Sequence, residues 1–219
     1  GEHTYQKEED WLRFENSFAQ YILNYAKMAE ELDVSIFCIG TEWKEFVLAR
    51  PSFWENLILD IKNAYSGKLT YAANWDEYPK VPFWDKLDFI GVDAYFPVSE
   101  EETPSAANIA KGLNPFKLKL KEISDSLSKP ILFTEYGYRS RNSNAIRPWE
   151  SDRAGSPNEQ AQANALQGFY DCFWEEDFIA GGFVWKWFHN YEQSGGAENN
   201  GFTPQNKMAE ETIRKTYAN

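Results

Sequence analysis

Two glutamates carry the chemistry for which this sequence can be read. Glu42 follows the apolar run Val34–Gly40 (VSIFCIG), and Glu135 follows Ile131–Phe133 in the stretch ILFTEYGY. A carboxylate just past a buried strand is costly to desolvate, so each must be either partnered or used. Paired with an Arg or capping a helix, each would be structural. Placed at the carboxyl ends of strands of one barrel, the two would open into one cleft, where a pair of carboxylates is the equipment of glycoside hydrolysis. One is then protonated to deliver a proton to the leaving oxygen. The other is ionised, to attack the anomeric carbon or to activate water. Apolar walls or a nearby charge would raise one pKa while hydrogen-bond donors hold the other down.

Aromatic residues fall beside the same strand ends: Trp43, Trp75, Tyr95, Tyr136, Trp185 and Trp187. The C–H faces of pyranose rings pack on such side chains, while sugar hydroxyls need amides and charges. Trp75, Tyr95 and Trp185 are read as sugar-facing, and Asn74 supplies an amide at the end of its strand. If Ile179–Phe188 is one strand, Trp185 and Trp187 face one side and Lys186 the other. His3 and His189 have no spacing for a metal site or a catalytic triad, so neither a metal nor a cofactor is expected.

The elements that must hold these residues alternate. Residues 8–32 carry Trp11, Phe14, Phe18, Tyr21, Ile22, Tyr25 and Ala29 at helical spacing. Val34–Gly40 reads as a parallel strand buried on both faces. Pro51 opens a helix that Gly67 is placed to end. Strands follow at Leu69–Asn74, Leu87–Phe96, Ile131–Phe133 and Ile179–Phe188, with helices at 108–127, 158–175 and 206–217. Residues 139–157 form a polar loop long enough to be functional. Strand and helix in alternation predict an α/β fold with a parallel sheet. No Gly-rich phosphate loop follows a strand, which removes the sign of a nucleotide-binding sheet and favours a barrel.

The chain has 219 residues with 17% aromatics, including nine Trp, and 34 acidic against 22 basic residues give a net charge of −12. That length suits one domain, residues 1–219. The acidic balance makes nucleic acid and anionic membranes poor partners and a neutral or cationic polymer a better one. The longest nearly apolar run, Phe178–Trp185, is too short to span a bilayer, which takes ~20 residues. Cys38 and Cys172 read as two buried thiols. No signal-peptide core precedes Trp11; the compartment is not encoded legibly, with a secreted or periplasmic setting favoured over a cytoplasmic one.

Five segments in order, Gly40–Trp43 (GTEW), Tyr71–Pro79 (YAANWDEYP), Leu87–Val98 (LDFIGVDAYFPV), Lys129–Ser140 (KPILFTEYGYRS) and Gly181–Phe188 (GGFVWKWF), resemble glycoside hydrolase family 113. That family belongs to the clan of retaining glycosidases on (β/α)8 TIM barrels, and its members are chiefly endo-β-1,4-mannanases. The resemblance implies that Glu42, after the fourth strand, is the acid/base, and that Glu135, after the seventh, is the nucleophile. Tyr95, after the sixth, would hydrogen-bond to the nucleophile, and Trp185, after the eighth, would floor the subsite of the reacting sugar. Where much of the clan has Asn before the acid/base, this chain has Thr41, so Thr41 or Asn74 must bind the 2-hydroxyl; Trp43 and Trp75 complete the candidate substrate-binding set. With Val34–Gly40 as the fourth strand, only 33 residues precede it. The chain is therefore expected to hold strands four to eight alone, with the first three units as a missing partner segment.

The leading expectation is a retaining, endo-acting hydrolase of β-1,4-mannan or manno-oligosaccharides that works by double displacement with two Glu, which calls for carboxyl groups about 5 Å apart. Hydrolysis of another β-glycan (glucan, xylan, chitosan) and a non-catalytic carbohydrate-binding barrel are the alternatives.

Overall fold

The computed structural model describes residues 3–152 and 154–218. Its elements run α1 (Glu8–Glu31), β1 (Ile36–Thr41), α2 (Lys44–Ala49), α3 (Pro51–Ala64), β2 (Lys68–Asn74), β3 (Ile90–Asp93), α4 (Ala106–Leu127), β4 (Ile131–Tyr136), α5 (Glu159–Phe173), β5 (Ile179–Val184) and α6 (Met208–Tyr217). The five strands are hydrogen-bonded in chain order, β1-β2-β3-β4-β5. β1 and β2 are parallel, Ile36 opposite Lys68 and Thr41 opposite Ala72, with a register shift between Cys38 and Thr41. The chain divides into two compact units, residues 1–92 with 126–132, and residues 93–125 with 133–219.

In the first unit, α1 begins with Glu8, Glu9 and Asp10, whose charges oppose the positive end of the helix dipole. Trp11, Ile22, Ala26 and Ala29 are buried. Tyr21 and Tyr25, expected on that stripe, are exposed. Arg50, just ahead of Pro51 at the first turn of α3, binds Glu8 and Glu15 of α1 and so ties the two helices. The core is aromatic: Phe46, Trp54, Tyr71 and Phe83 are fully buried, and Trp54 stacks on Phe83 with centroids 5.4 Å apart. Gly40 leaves little room there, because a Cβ would stand 3.0 Å from Trp54 and 3.2 Å from Tyr71.

In the second unit, Phe133 and Tyr136 of β4 pack on Phe169 and Phe173 of α5. Asn158 caps α5 by accepting a hydrogen bond from the Ala161 amide at 2.8 Å. Phe96 lies against Phe116 of α4.

Several expectations need correction. β1 is half exposed and Cys38 lies at the surface, because β1 is the first strand of the sheet and pairs only with β2. Cys172 is buried as expected, and burial pushes its thiol up to about 11. β3 has only four residues, and just beyond it the Tyr95 amide turns back to the Asp93 carbonyl. β5 stops at Val184, the Trp185–Lys186 peptide is cis, and the alternation assumed for Trp185, Lys186 and Trp187 does not hold: Lys186 Nζ stands 5.1 Å from the Trp185 ring and 5.0 Å from Phe188. α3 ends at Ala64 rather than at Gly67, with Tyr65 turning extended and its hydroxyl donating to the Val34 carbonyl at 2.6 Å. The short helix α2, right after Trp43, has too few residues to show a period.

Candidate active site

The first unit holds Thr41, Glu42, Trp43, Asn74 and Trp75. Thr41 ends β1 and is exposed. Glu42 sits at φ 53°, in the left-handed region that a residue with a Cβ occupies at a cost of about 1–3 kcal/mol. Its amide still donates to the Ala72 carbonyl at 2.8 Å, so the ladder with β2 extends one residue past the strand while the chain bends. The next amide, of Trp43, donates to the hydroxyl of buried Tyr71 at 2.7 Å. These two bonds fix the turn that presents the Glu42 carboxyl, which is half-buried.

Trp43 points its ring into the aromatic cluster of α1 and α2, 5.4 Å from Phe14 and 5.7 Å from Phe18. That packing braces the Glu42 turn, and Trp43 stays half-buried. Asn74 ends β2, and its Oδ1 accepts from the Trp75 amide at 2.8 Å. The end of Asn74 that a ligand can use is therefore the amide nitrogen. Both Asn74 and Trp75 are half-buried. Beside them, Lys44 and Glu77 pair at 3.5 Å; burial raises the Glu77 pKa, with Lys44 opposing it.

The second unit holds Glu135, Tyr95 and Trp185. Glu135 is the penultimate residue of β4, and its carbonyl accepts from the Ala94 amide at 2.7 Å. Asp93 and Thr134 brace the same two strand ends side chain to side chain at 2.7 Å. The Tyr95 hydroxyl donates to Glu135 Oε2 at 2.7 Å, and Tyr95 itself is 6% exposed. Burial raises the Glu135 pKa, and the phenol opposes that by stabilising the carboxylate. Trp185 is 39% exposed, anchored through its amide to the Tyr136 carbonyl at 2.7 Å.

Phe202, in the loop after β5, lies against Tyr95 with centroids 6.0 Å apart. Neither it nor Arg139, which holds that loop, is legible as functional, because both act through contacts made across the sequence. His189 is an exposed loop residue, and His3 lies near the Trp43 ring. Among the described residues, no three His, Cys, Asp or Glu gather where they could hold a metal ion.

A parallel α/β sheet that presents glutamates and aromatics at its strand ends is the architecture of a (β/α)8-barrel glycosidase. The family model of Glycoside Hydrolase Family 113 matches residues 1–207, and the chain belongs to that family; it is a glycoside hydrolase. No curated protein matches the chain. Among solved structures, it is similar to the GH113 β-mannanase AaManA from Alicyclobacillus acidocaldarius, solved in complex with ManMIm. The TM-score is 0.86 and identity 24%, covering 100% of this chain and 68% of that one. A second GH113 β-1,4-mannanase gives a TM-score of 0.83 at 25% identity, over 100% of this chain and 67% of that one. A β-glucuronidase from Faecalibacterium prausnitzii shares the fold more distantly, with a TM-score of 0.66 at 16% identity, over 93% of this chain and 35% of the other. The chain thus spans about two thirds of the mannanases, with five strands where a (β/α)8 barrel has eight.

Proposed function

We propose that this glycoside hydrolase cleaves β-1,4-mannan or manno-oligosaccharides with retention, Glu135 acting as nucleophile and Glu42 as acid/base. The observation that carries the reading is the 2.7 Å bond from Tyr95 to Glu135 Oε2. A nucleophile must be ionised to attack, and a buried phenol aimed at one carboxylate oxygen favours the ionised form. It also leaves Glu135 Oε1 as the oxygen to attack the anomeric carbon.

Glu42 then delivers a proton to the departing glycosidic oxygen and afterwards takes one from the water that releases the glycosyl-enzyme. The strained turn at Glu42 is the kind of outlier that clusters at active sites. Thr41 and Asn74 are the 2-hydroxyl donors in this reading, and Trp75 and Trp185 the sugar-facing rings. The β-mannanases among its structural relatives support mannan over other β-glycans.

The test is turnover of the chain on mannan, glucan, xylan and chitosan, with proton NMR of the first anomer released. Mannan hydrolysis giving the β-anomer first is expected. An α-anomer first would overturn retention, and a preference for another polymer would overturn the substrate. Saturable mannan binding with no product would make the chain a carbohydrate-binding barrel.

A further inference from the structure

Two side chains of the second unit, Arg139 and Gln162, converge on the loop that carries Phe202. Arg139, 3% exposed, donates from Nε to the Asn200 carbonyl and from Nη2 to Asn200 Oδ1, both at 3.0 Å. This is a two-pronged grip on one residue, which the single point charge of a lysine does not reproduce. Gln162, on the first turn of α5 and fully buried, donates from Nε2 to the Phe202 carbonyl at 2.8 Å and to the Tyr138 carbonyl at 2.9 Å. One amide thus joins the segment after β4 to the loop after β5. The Ser140 amide adds a bond to the Gly201 carbonyl at 3.0 Å, and Asn200 Nδ2 reaches the Gly155 carbonyl at 2.9 Å.

Residues 200–202 are therefore held by backbone and side-chain bonds to the stretch immediately following Glu135. What this fixed loop delivers is the Phe202 ring, edge-on to the Tyr95 ring at 69°. Tyr95 has one polar atom, and its hydroxyl reaches Glu135 only while the ring keeps its tilt.

We propose that Arg139 and Gln162 form a clasp that pins Phe202 against Tyr95 and so holds the Tyr95 hydroxyl on the Glu135 carboxylate. They are positioning residues: none touches the reacting atoms, and they act through Phe202 and Tyr95. The inference deepens the reading of Glu135 as nucleophile and rests on it for its catalytic meaning. Among the described residues around Glu135, Tyr95 is the one bonded to its carboxylate. The cations of the flanking segments are engaged elsewhere: Lys186 with Trp185 and Phe188, Arg139 with Asn200 and Asp152, Lys207 with Asn199.

The test measures the Glu135 side chain directly, by carbon-13 NMR titration of Glu-labelled protein, with the signal assigned by Glu135→Gln. Tyr95→Phe, which removes the donor, is expected to raise the Glu135 pKa by about one pH unit. Phe202→Ala is expected to raise it in the same direction, and the double variant no further than Tyr95→Phe alone, since both act through one bond. Phe202→Leu, which keeps apolar bulk, and Arg139→Lys, which keeps the charge, are expected to raise it by less, and they serve if Phe202→Ala fails to fold. A Glu135 pKa unmoved in folded Phe202 and Arg139 variants, or additive with Tyr95→Phe, overturns the clasp even where thermal stability falls. In an active parent, the acid limb of kcat/KM moves to higher pH with the same variants. If the parent turns over no glycoside yet the Glu135 titration still responds, the clasp stands and the functional reading falls.

Discussion

At the scale of the residue, the two carboxylates stand in different surroundings. Glu135 is bonded by a phenol, whereas Glu42 sits on a left-handed turn whose amides are bonded to Ala72 and Tyr71. A leaving group that departs as a stable phenolate needs no proton. Glu42→Gln is therefore expected to lose about 10²–10⁴-fold on mannan while still attacking a dinitrophenyl β-mannoside, and Glu135→Gln to lose both; kinetics on the two substrates check the assignment. The buried Glu135 also affects stability. Its pKa is raised in the folded protein, so its contribution is fully present below the ordinary Glu pKa of about 4.3 and is lost as pH rises through the raised value. Glu135→Gln is accordingly expected to unfold at higher denaturant than the parent at pH 7, and the gap should close as pH falls towards 4. Both glutamates and Tyr95 were legible in sequence because each follows an apolar run that ends in a recognisable motif. The positive φ at Glu42 and the phenol's aim at one oxygen were not, since they depend on neighbours 28 to 40 residues away.

At the scale of the element, the strand ends are positioned by close backbone approach. Gly137, two residues past Glu135, leaves no room for a methyl group: a Cβ would come within 2.2 Å of the Trp185 carbonyl oxygen. Since that neighbour is backbone and cannot rotate away, Gly137→Ala is expected to destabilise by about 1–3 kcal/mol and to displace Trp185. A lower melting temperature with changed tryptophan fluorescence would show it. Sequence periodicity overran β5. The run Ile179–Phe188 is apolar and aromatic apart from Lys186, but its last four residues leave the strand, and Trp187 stacks on Tyr191 of the following turn. Periodicity reports which residues can be buried; it does not report where the hydrogen-bond ladder ends. By contrast α1, α4 and α5 were readable to within about two residues, since their stripes repeat over several turns and α5 carries its own cap in Asn158.

At the scale of the whole molecule, the net charge of −12 and the buried cations set the response to pH and to polymers. Lys207 is desolvated beside Arg139, which lowers its pKa to about 8, with Glu159 opposing. Between about pH 8 and the ordinary Lys value of about 10.4, the unfolded chain holds a proton that the folded one lacks, so this group's contribution rises with pH and is lost as pH falls through 8. Lys207→Met is expected to gain on the parent as pH falls from about 10 to about 8 and to keep that gap below 8; urea unfolding across that range checks the sign. The acidic field favours a neutral polysaccharide over a polyanionic one.

By itself the sequence determined the order of strands and helices, the two glutamates at strand ends, the ring-rich setting and the family. These are local: each depends on a run of apolar residues, a spacing or a short motif within a few residues. The tertiary structure decided that Cys38 is at the surface, that the Trp43 ring packs on Phe14 and Phe18, and that Tyr95 donates to Glu135 under a Phe202 held from two other segments. Those outcomes turn on strand pairing and on contacts between residues far apart in the chain, and a burial or a hydrogen bond of that kind exists only once the distant partner has been brought into place.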